Sequence, residues 1–178
     1  MRKFLLIVLA ATTISTGAAQ AASVGIGPFG GASIPIVQDD QGNGSVFGIR
    51  APVQIVPLLR VEPFWSTSAL GDKTVDVGGT SFTRAGSDVK TFGLNAMLSL
   101  GGPVTFYPFV GIGTVKFDRG GQDESFTSYH MGLGLGLSPI PKLSVDLRAE
   151  LQAAAKDGAS RKMGNITLGA SYSVFSMP

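Results

Sequence analysis

The sequence predicts an all-β protein whose strands form one antiparallel, up-and-down barrel. Eight runs of residues alternate between apolar and polar side chains with a period of two, which is the pattern of strands with two different faces. After residue 21, no stretch keeps apolar residues at helical spacing. Long and short connections alternate between the runs, as in a barrel whose strands each pair with the next along the chain.

Length and composition narrow the classes of protein. The 178 residues suit a single domain, and only 15% of them are charged, against roughly 25% in ordinary soluble domains. Because cysteine is absent, disulfides and thiolate metal sites are impossible. The single histidine, His130, excludes a site that needs two. We therefore predict neither a metal site nor another cofactor.

The first 21 residues have the organisation of a secretory signal peptide. Two cations precede the apolar run 4–14, and the small residues Ala19 and Ala21 fit the cleavage rule around Gln20. The apolar run is shorter than the roughly 20 residues of a membrane-spanning helix. We therefore predict that 1–21 are removed and that 22–178 form the barrel.

The predicted mature chain has no net charge. The full chain has 14 Lys and Arg against 12 Asp and Glu, and cleavage would remove Arg2 and Lys3. Because phosphate binding needs a basic surface, a neutral chain argues against nucleic acid as a partner.

The clearest strand pattern lies in residues 143–153, where Leu143, Val145 and Leu147 alternate with Ser144 and Asp146. The eight predicted strands are 23–36, 46–55, 59–67, 88–100, 105–117, 125–137, 143–153 and 165–174. The long connections are 37–45, 69–87, 118–124 and 154–163, and the short ones lie at Pro57, 101–103 and 138–142.

Three features predict that the apolar face points outwards, into a membrane. Most charged residues lie in or beside the long connections, whereas a soluble barrel would carry many on its strands. The polar face is mainly small residues, which suit the narrow interior of an eight-stranded barrel. Aromatic residues lie near both ends of the strands, as in the girdles of membrane barrels. These are Phe47, Trp65, Phe92 and Tyr129 near the long connections, and Phe106 and Tyr172 near the short ones.

The last strand carries a short motif. Thr167-x-Gly169-x-x-Tyr172-x-Val174 follows the polar-x-Gly-x-x-aromatic-x-aromatic pattern by which outer-membrane barrels are recognised for assembly, although Val174 stands where an aromatic is usual and three residues follow Phe175. In this motif and in 107–113 the chain resembles small outer-membrane barrels of the OmpA, OmpX and OmpW kind. The resemblance implies export through the periplasm, interaction with the barrel assembly machinery, and an outer-membrane location surrounded by lipid.

Six charged residues lie on the predicted inner face. They are Arg50, Arg60, Glu62, Asp146, Arg148 and Glu150. Because an unpaired buried charge costs several kcal/mol, we expect these side chains to pair and to plug the lumen. The predicted third and seventh strands are on opposite sides of the barrel, so arginines could reach across. The other interpretation is an ion path, a gate or a small-ligand site.

Ser128 and His130 also lie on the inner face of one strand. Some outer-membrane barrels are lipid A deacylases with a histidine and a serine on a strand, but this chain has the reverse order and shows no partner that would orient the histidine. We therefore predict that the protein is not an enzyme.

The predicted role is that of an outer-membrane barrel with a plugged lumen, acting as a structural element and through its surface loops. The longest connection, 69–87, is the candidate contact for an unidentified surface partner. Three alternatives remain open. They are the passage or binding of small hydrophobic compounds, as resemblance to OmpW implies, a soluble periplasmic barrel that binds lipid, and an enzyme that modifies lipid A.

Fractionation with heat modifiability tests the orientation of the two faces. We expect the protein in detergent extracts of the outer membrane, with a mobility shift between unboiled and boiled samples on a denaturing gel. Recovery in the soluble periplasm would mean that the apolar face points inwards.

Overall fold

The computed structural model describes residues 23–36, 41–119, 122–156 and 159–176. The predicted signal peptide, 1–21, lies outside them. The described residues form twelve strands and include no helix long and apolar enough to cross a membrane. The strands are β1 (Ser23–Ile36), β2 (Gly42–Arg50), β3 (Val53–Val56), β4 (Leu59–Gly71), β5 (Lys73–Val77), β6 (Thr80–Arg84), β7 (Asp88–Leu98), β8 (Leu100–Gly101), β9 (Val104–Arg119), β10 (Gln122–Ile140), β11 (Leu143–Lys156) and β12 (Ala159–Ser176).

Ten of these segments build a closed barrel of eight antiparallel strands. Segments β2 and β3 both pair with β1 and β4, and β7 and β8 both pair with β9, so each pair is one interrupted strand. Every strand pairs with the next one, and β12 pairs with β1 to close the ring. The predicted eight-stranded, up-and-down barrel is confirmed.

The interruption between β2 and β3 lies at Ala51 and Pro52. Proline lacks the N–H that an internal strand position donates. The wall stays continuous there because the Ala51 N–H donates to Pro63 O at 2.9 Å and Gly25 N–H donates to Pro52 O at 2.8 Å.

The longest connection contains a hairpin that the sequence analysis missed. Strands β5 and β6 pair only with each other, with Val75 opposite Phe82. Gly78 and Gly79 form the turn with φ values of 60° and 85°. Two consecutive positive φ values are typical of the type I′ turn, which matches the twist of a two-residue hairpin.

The apolar face points outwards, as predicted. On β10, Leu133, Leu135 and Leu137 are more than half exposed, whereas Arg148 on the inner face of β11 is 5% exposed. The aromatic residues of the two predicted girdles are all exposed on the outer surface. The surface that faces lipid is therefore apolar, with aromatic side chains towards both edges.

Beyond the loop-side girdle the polarity of the two faces is reversed. The outward side chains there include Lys90, Lys116, Ser125 and Thr127, all exposed. The inward side chains form an apolar cluster, which we call the upper cluster. Its members are Leu70, Val89, Val115, Phe117, Phe126, Ala154 and Met163. The loop end of the barrel thus has the pattern of a soluble barrel, with its apolar residues inside.

Large aromatic side chains also lie inside the barrel, where the sequence analysis expected mainly small residues. Four of them, below the upper cluster, face a glycine on the neighbouring strand, because a missing side chain leaves room for a ring. The pairs are Phe29 with Gly48, Phe64 with Gly93, Tyr107 with Gly134 and Phe109 with Gly132. The inner glycines therefore make space for aromatic rings that fill the lumen.

The close packing of Tyr107 against Gly134 predicts that a side chain at residue 134 would lower the stability of the barrel. A methyl group at residue 134 would overlap the buried Tyr107 ring, so Gly134→Ala should destabilise the barrel by about 1–3 kcal/mol. Gly102→Ala is the control, because no atom lies within 4 Å of the added methyl group. Urea unfolding in lipid vesicles, followed by the fluorescence of the single tryptophan, Trp65, measures both. Equal stability of the two variants would contradict the packing argument.

Candidate functional site

Four charged side chains from three strands meet in the middle of the lumen. They are Arg50 from β2, Glu62 from β4, and Asp146 and Arg148 from β11. All four alternate with outward apolar residues, which turns them to the inner face. Each is almost completely buried. We call this group the lumen network.

Arg148 spans the barrel. Its Nη2 donates to Glu62 Oε2 at 2.8 Å, and its Nη1 donates to Glu62 Oε1, so the pair is bidentate. Strands β11 and β4 are four places apart in the ring of eight, so the ion pair crosses the full diameter. The Nε–H of Arg148 lies 3.0 Å from Asp146 Oδ1 and 2.9 Å from Tyr107 Oη, and both oxygens accept from it.

Arg50, on the strand next to that of Glu62, completes the lumen network. Its Nη2 donates to Asp146 Oδ2 at 2.6 Å, and its Nε lies 4.0 Å from Glu62 Oε2. The two arginines and the two carboxylates therefore alternate around a closed circuit with no net charge. Because burying one unpaired charge costs several kcal/mol, this balance makes a charged interior possible.

Aromatic rings surround the two guanidinium groups. The Arg148 carbon Cζ lies 5.2 Å from the Tyr107 ring centre and 5.7 Å from that of Phe109, and Arg50 Cζ lies 5.3 Å from that of Phe29. These distances are within the range of cation–π attraction. The rings that occupy the space beside the inner glycines thus also contact the charges.

The other two predicted residues lie outside the lumen network. Arg60 donates to Gln54 Oε1 at 3.5 Å, and Gln54 in turn donates to the carbonyls of Val56 and Pro57 at the short-connection end. Glu150 accepts from Asn165 Nδ2 at 3.2 Å and contacts His130 Nδ1 at 3.2 Å. The inner charges therefore form separate groups along the barrel axis.

Glu150 is the orienting partner for His130 that the sequence analysis did not find. Ser128 Oγ lies 2.9 Å from the other ring nitrogen, Nε2, so the three side chains form a chain in the order of a catalytic triad. However, Ser128 is completely buried, and Phe64 packs at the edge of the His130 ring with a centroid distance of 5.2 Å. This geometry supports a hydrogen-bonded interior better than a site that a substrate could enter.

The cavity beside the lumen network is small. It has a volume of about 20 Å³, and its lining includes Arg50, Glu62, Asn95, Arg148 and Asn165. This is room for about one water molecule. Within the described part of the chain, no group of three or more His, Asp or Glu is placed to hold a metal ion.

Sequence reasoning missed Tyr107 as a contact of the lumen network. Both faces of β9 are apolar there, so alternation gives a weak signal. The stronger signal is the series Gly132-x-Gly134 on β10, whose missing side chains receive Phe109 and Tyr107. Asn165 was missed because its neighbour in space, Glu150, is on the adjacent strand β11.

The predicted assembly motif lies on β12, beside the closing strand β1. Thr167 is buried in the lumen, and Gly169 leaves room for the Arg50 guanidinium group. Tyr172, Val174 and Phe175 are exposed. Gly169 thus has a packing role within the barrel, and recognition of the motif during assembly stays a prediction.

Comparison with known families identifies the architecture. Residues 4–173 match the outer membrane protein beta-barrel domain. The chain belongs to this family. It is therefore an outer-membrane protein, as its resemblance to small outer-membrane barrels implied. Comparison with curated proteins gives no match.

Solved structures share the fold of this outer-membrane barrel. Neisserial surface protein A is 14% identical with a TM-score of 0.65, and the match covers 85% of this chain and 97% of that one. OprG from Pseudomonas aeruginosa is 12% identical with a TM-score of 0.57, covering 86% and 97%. The N-terminal barrel domain of Pseudomonas aeruginosa OprF is 13% identical with a TM-score of 0.50, covering 86% and 100%.

Breaking the Arg148–Glu62 pair should be costly. Arg148→Ala leaves Glu62 buried with Arg50 at 4.0 Å as its remaining ion-pair partner, so we expect a loss of about 3–5 kcal/mol. Arg60→Ala is the matched control outside the lumen network and should lose much less. Replacing both partners, as Arg148→Leu with Glu62→Leu, should cost less than Arg148→Ala alone. Urea unfolding in vesicles measures all three, and equal losses for Arg148→Ala and Arg60→Ala would refute this role.

Proposed function

We propose that this outer-membrane barrel is closed to solutes, is not an enzyme, and acts as an anchor for ordered segments at the cell surface. The observation that carries the proposal is the Arg148–Glu62 ion pair across the lumen. A pore of this size would need its centre free of side chains, whereas here a salt-bridged circuit and aromatic rings occupy it.

The upper cluster supports closure at a second level. Phe117 and Phe126 meet edge to face inside the barrel, with ring centres 5.4 Å apart. Arg161 Cζ lies 4.9 Å from the Phe117 ring centre, and Lys156 Nζ lies 5.7 Å from the Phe126 ring centre. Two cations therefore cover the upper cluster on the side of the long connections. A solute would have to displace both this apolar layer and the lumen network.

The hairpin of β5 and β6 is the candidate surface contact within 69–87. The carboxylate of Asp72 accepts from Gly86 N–H at 2.7 Å, which joins the two ends of the hairpin at its base. Phe82 is 55% exposed on it. An ordered hairpin with an exposed aromatic side chain favours recognition of a partner, because aromatic residues are common in the centres of interfaces.

A cavity on the outer wall favours a second candidate, the binding of a small hydrophobic compound. It has a volume of about 530 Å³ and lies between β10, β11, β12 and β1, with Ile34, Met131, Leu151 and Ile166 in its lining. These four side chains face the membrane, and Glu150 and Asn165 line the cavity on the side of the lumen. It supports binding from the lipid phase, and the filled lumen argues against onward passage through the barrel.

The remaining alternatives have less support. A soluble lipid-binding barrel would have an apolar interior along its length, but the middle of this lumen is charged. An enzyme built on Ser128 would need access to a completely buried hydroxyl group.

Conductance in planar bilayers tests closure. The wild-type protein should give no discrete single-channel steps. The variant that combines Arg148→Ala, Phe117→Ala and Phe126→Ala removes large side chains at both levels and should conduct. Heat modifiability checks that this variant is folded. Discrete steps in the wild type would overturn the proposal.

A further inference from the structure

Two lysines face each other on the outer surface just beyond the membrane-facing band. Lys90 on β7 and Lys116 on β9 are direct partners in the strand register, and both are exposed. Directly opposite side chains in such a pair have Cβ atoms about 4.5–5.5 Å apart, and like charges there are destabilising. Neither lysine has an ion pair with a described residue. Among the described residues, the lysine pair is therefore a local concentration of positive charge without an ion-pair partner.

The position of the pair places it at the interface of lipid and water. Lys90 is two residues from Phe92, an aromatic residue of the loop-side girdle, and Phe92 is the register partner of Trp65. Two residues along a strand span about 7 Å. Phosphate groups of membrane lipids lie at the same level, directly outside the hydrocarbon. The charge and the depth of the lysine pair therefore match a lipid headgroup.

A groove in the lipid-facing wall begins at the same aromatic residues. It has a volume of about 160 Å³, and its outer walls are formed by Phe92, Trp65, Pro63, Ile49 and Ile26. The side chains that form these outer walls are all apolar or aromatic. An acyl chain that lay along this groove would bring its headgroup towards Lys90.

The next outward-facing pair on these two strands carries the opposite charge. Asp88 and Asp118 are register partners two residues beyond the lysines, farther from the girdle, with the inward pair Val89 and Phe117 in between. Together the lysine pair and the aspartate pair have no net charge, so they would not attract a soluble polyanion as a basic patch does. The lysine pair is the nearer of the two to the membrane, so a ligand held at the membrane interface would contact the lysines before the aspartates. This arrangement favours a phosphate presented by the membrane over one presented from solution.

We propose that Lys90 and Lys116 bind the phosphate of an outer-leaflet lipid whose acyl chain lies in the groove beside Trp65 and Phe92. The two lysines supply the charge complementarity, and the groove supplies the apolar contact. The site is separate from the lumen and does not depend on whether the barrel conducts.

The single tryptophan is a reporter inside the proposed site. Trp65 forms a wall of the groove, so a brominated acyl chain bound there should quench its fluorescence. The probe is phosphatidic acid with brominated chains, present as a minor fraction in phosphatidylcholine vesicles that hold the folded protein. The comparison is brominated phosphatidylcholine at the same fraction. We expect apparent binding about five- to tenfold stronger for phosphatidic acid at low ionic strength, weakening with added salt.

The variants assign the effect to the two lysines. Lys90→Gln with Lys116→Gln should reduce the preference for phosphatidic acid to about one, that is, to none, and heat modifiability checks that this variant is folded. The control, Lys142→Gln with Lys162→Gln, removes the same charge from two exposed lysines elsewhere and should keep the preference.

Three results would overturn the proposal. They are equal quenching of the wild type by both lipids, an unchanged preference in the Lys90 and Lys116 variant, and an equal loss of preference in the control. Inorganic phosphate alone should not displace the brominated lipid at millimolar concentration. If it does, the site is an anion site that does not require lipid.

Discussion

Closure of the hydrogen-bonded ring is the constraint on which this structure depends. Hydrocarbon offers no partner for a backbone N–H or C=O group, so a sheet in a membrane cannot have a free edge. The pairing of β1 with β12 removes that edge. Where Pro52 interrupts the second strand, the neighbouring backbone groups bond across the gap. The closed ring then fixes which side chains face lipid and which face the lumen.

The strands of the barrel could be predicted from the sequence because the face of each strand that contacts lipid must carry apolar side chains. All eight strands were predicted, and β1 has the bounds expected for it. The loop ends were harder, because polarity reverses beyond the girdle while the period of two continues. Phe117 and Phe126 turn inwards there and Lys116 turns outwards. The hairpin of β5 and β6 was missed because its two strands pair only with each other. It has no face against lipid, so neither face of the hairpin has to carry apolar side chains.

The interior was predictable in part. A period of two shows that Arg60, Glu62, Arg148 and Glu150 face the lumen, but it does not show their height along the barrel axis. Height depends on the register between strands, and two residues along a strand shift a side chain by about 7 Å. Arg148 therefore meets Glu62 across the barrel, while Arg60 meets Gln54 near the short connections. The contact with Tyr107 depends on Gly134, which leaves space for the Tyr107 ring. That role can be recognised only when the register between β9 and β10 is known.

Inside and outside, the barrel uses charge under different dielectric conditions. In the lumen, Arg50 and Arg148 are buried, so each needs a carboxylate, and the circuit with Glu62 and Asp146 has no net charge. At the membrane interface, a lysine keeps contact with water and needs no protein partner to be stable. That difference explains how one chain can balance the four charges of its lumen network and still leave Lys90 and Lys116 side by side. The lumen network connects opposite walls of the barrel, whereas the outer lysine pair lies where the proposed lipid phosphate would meet it.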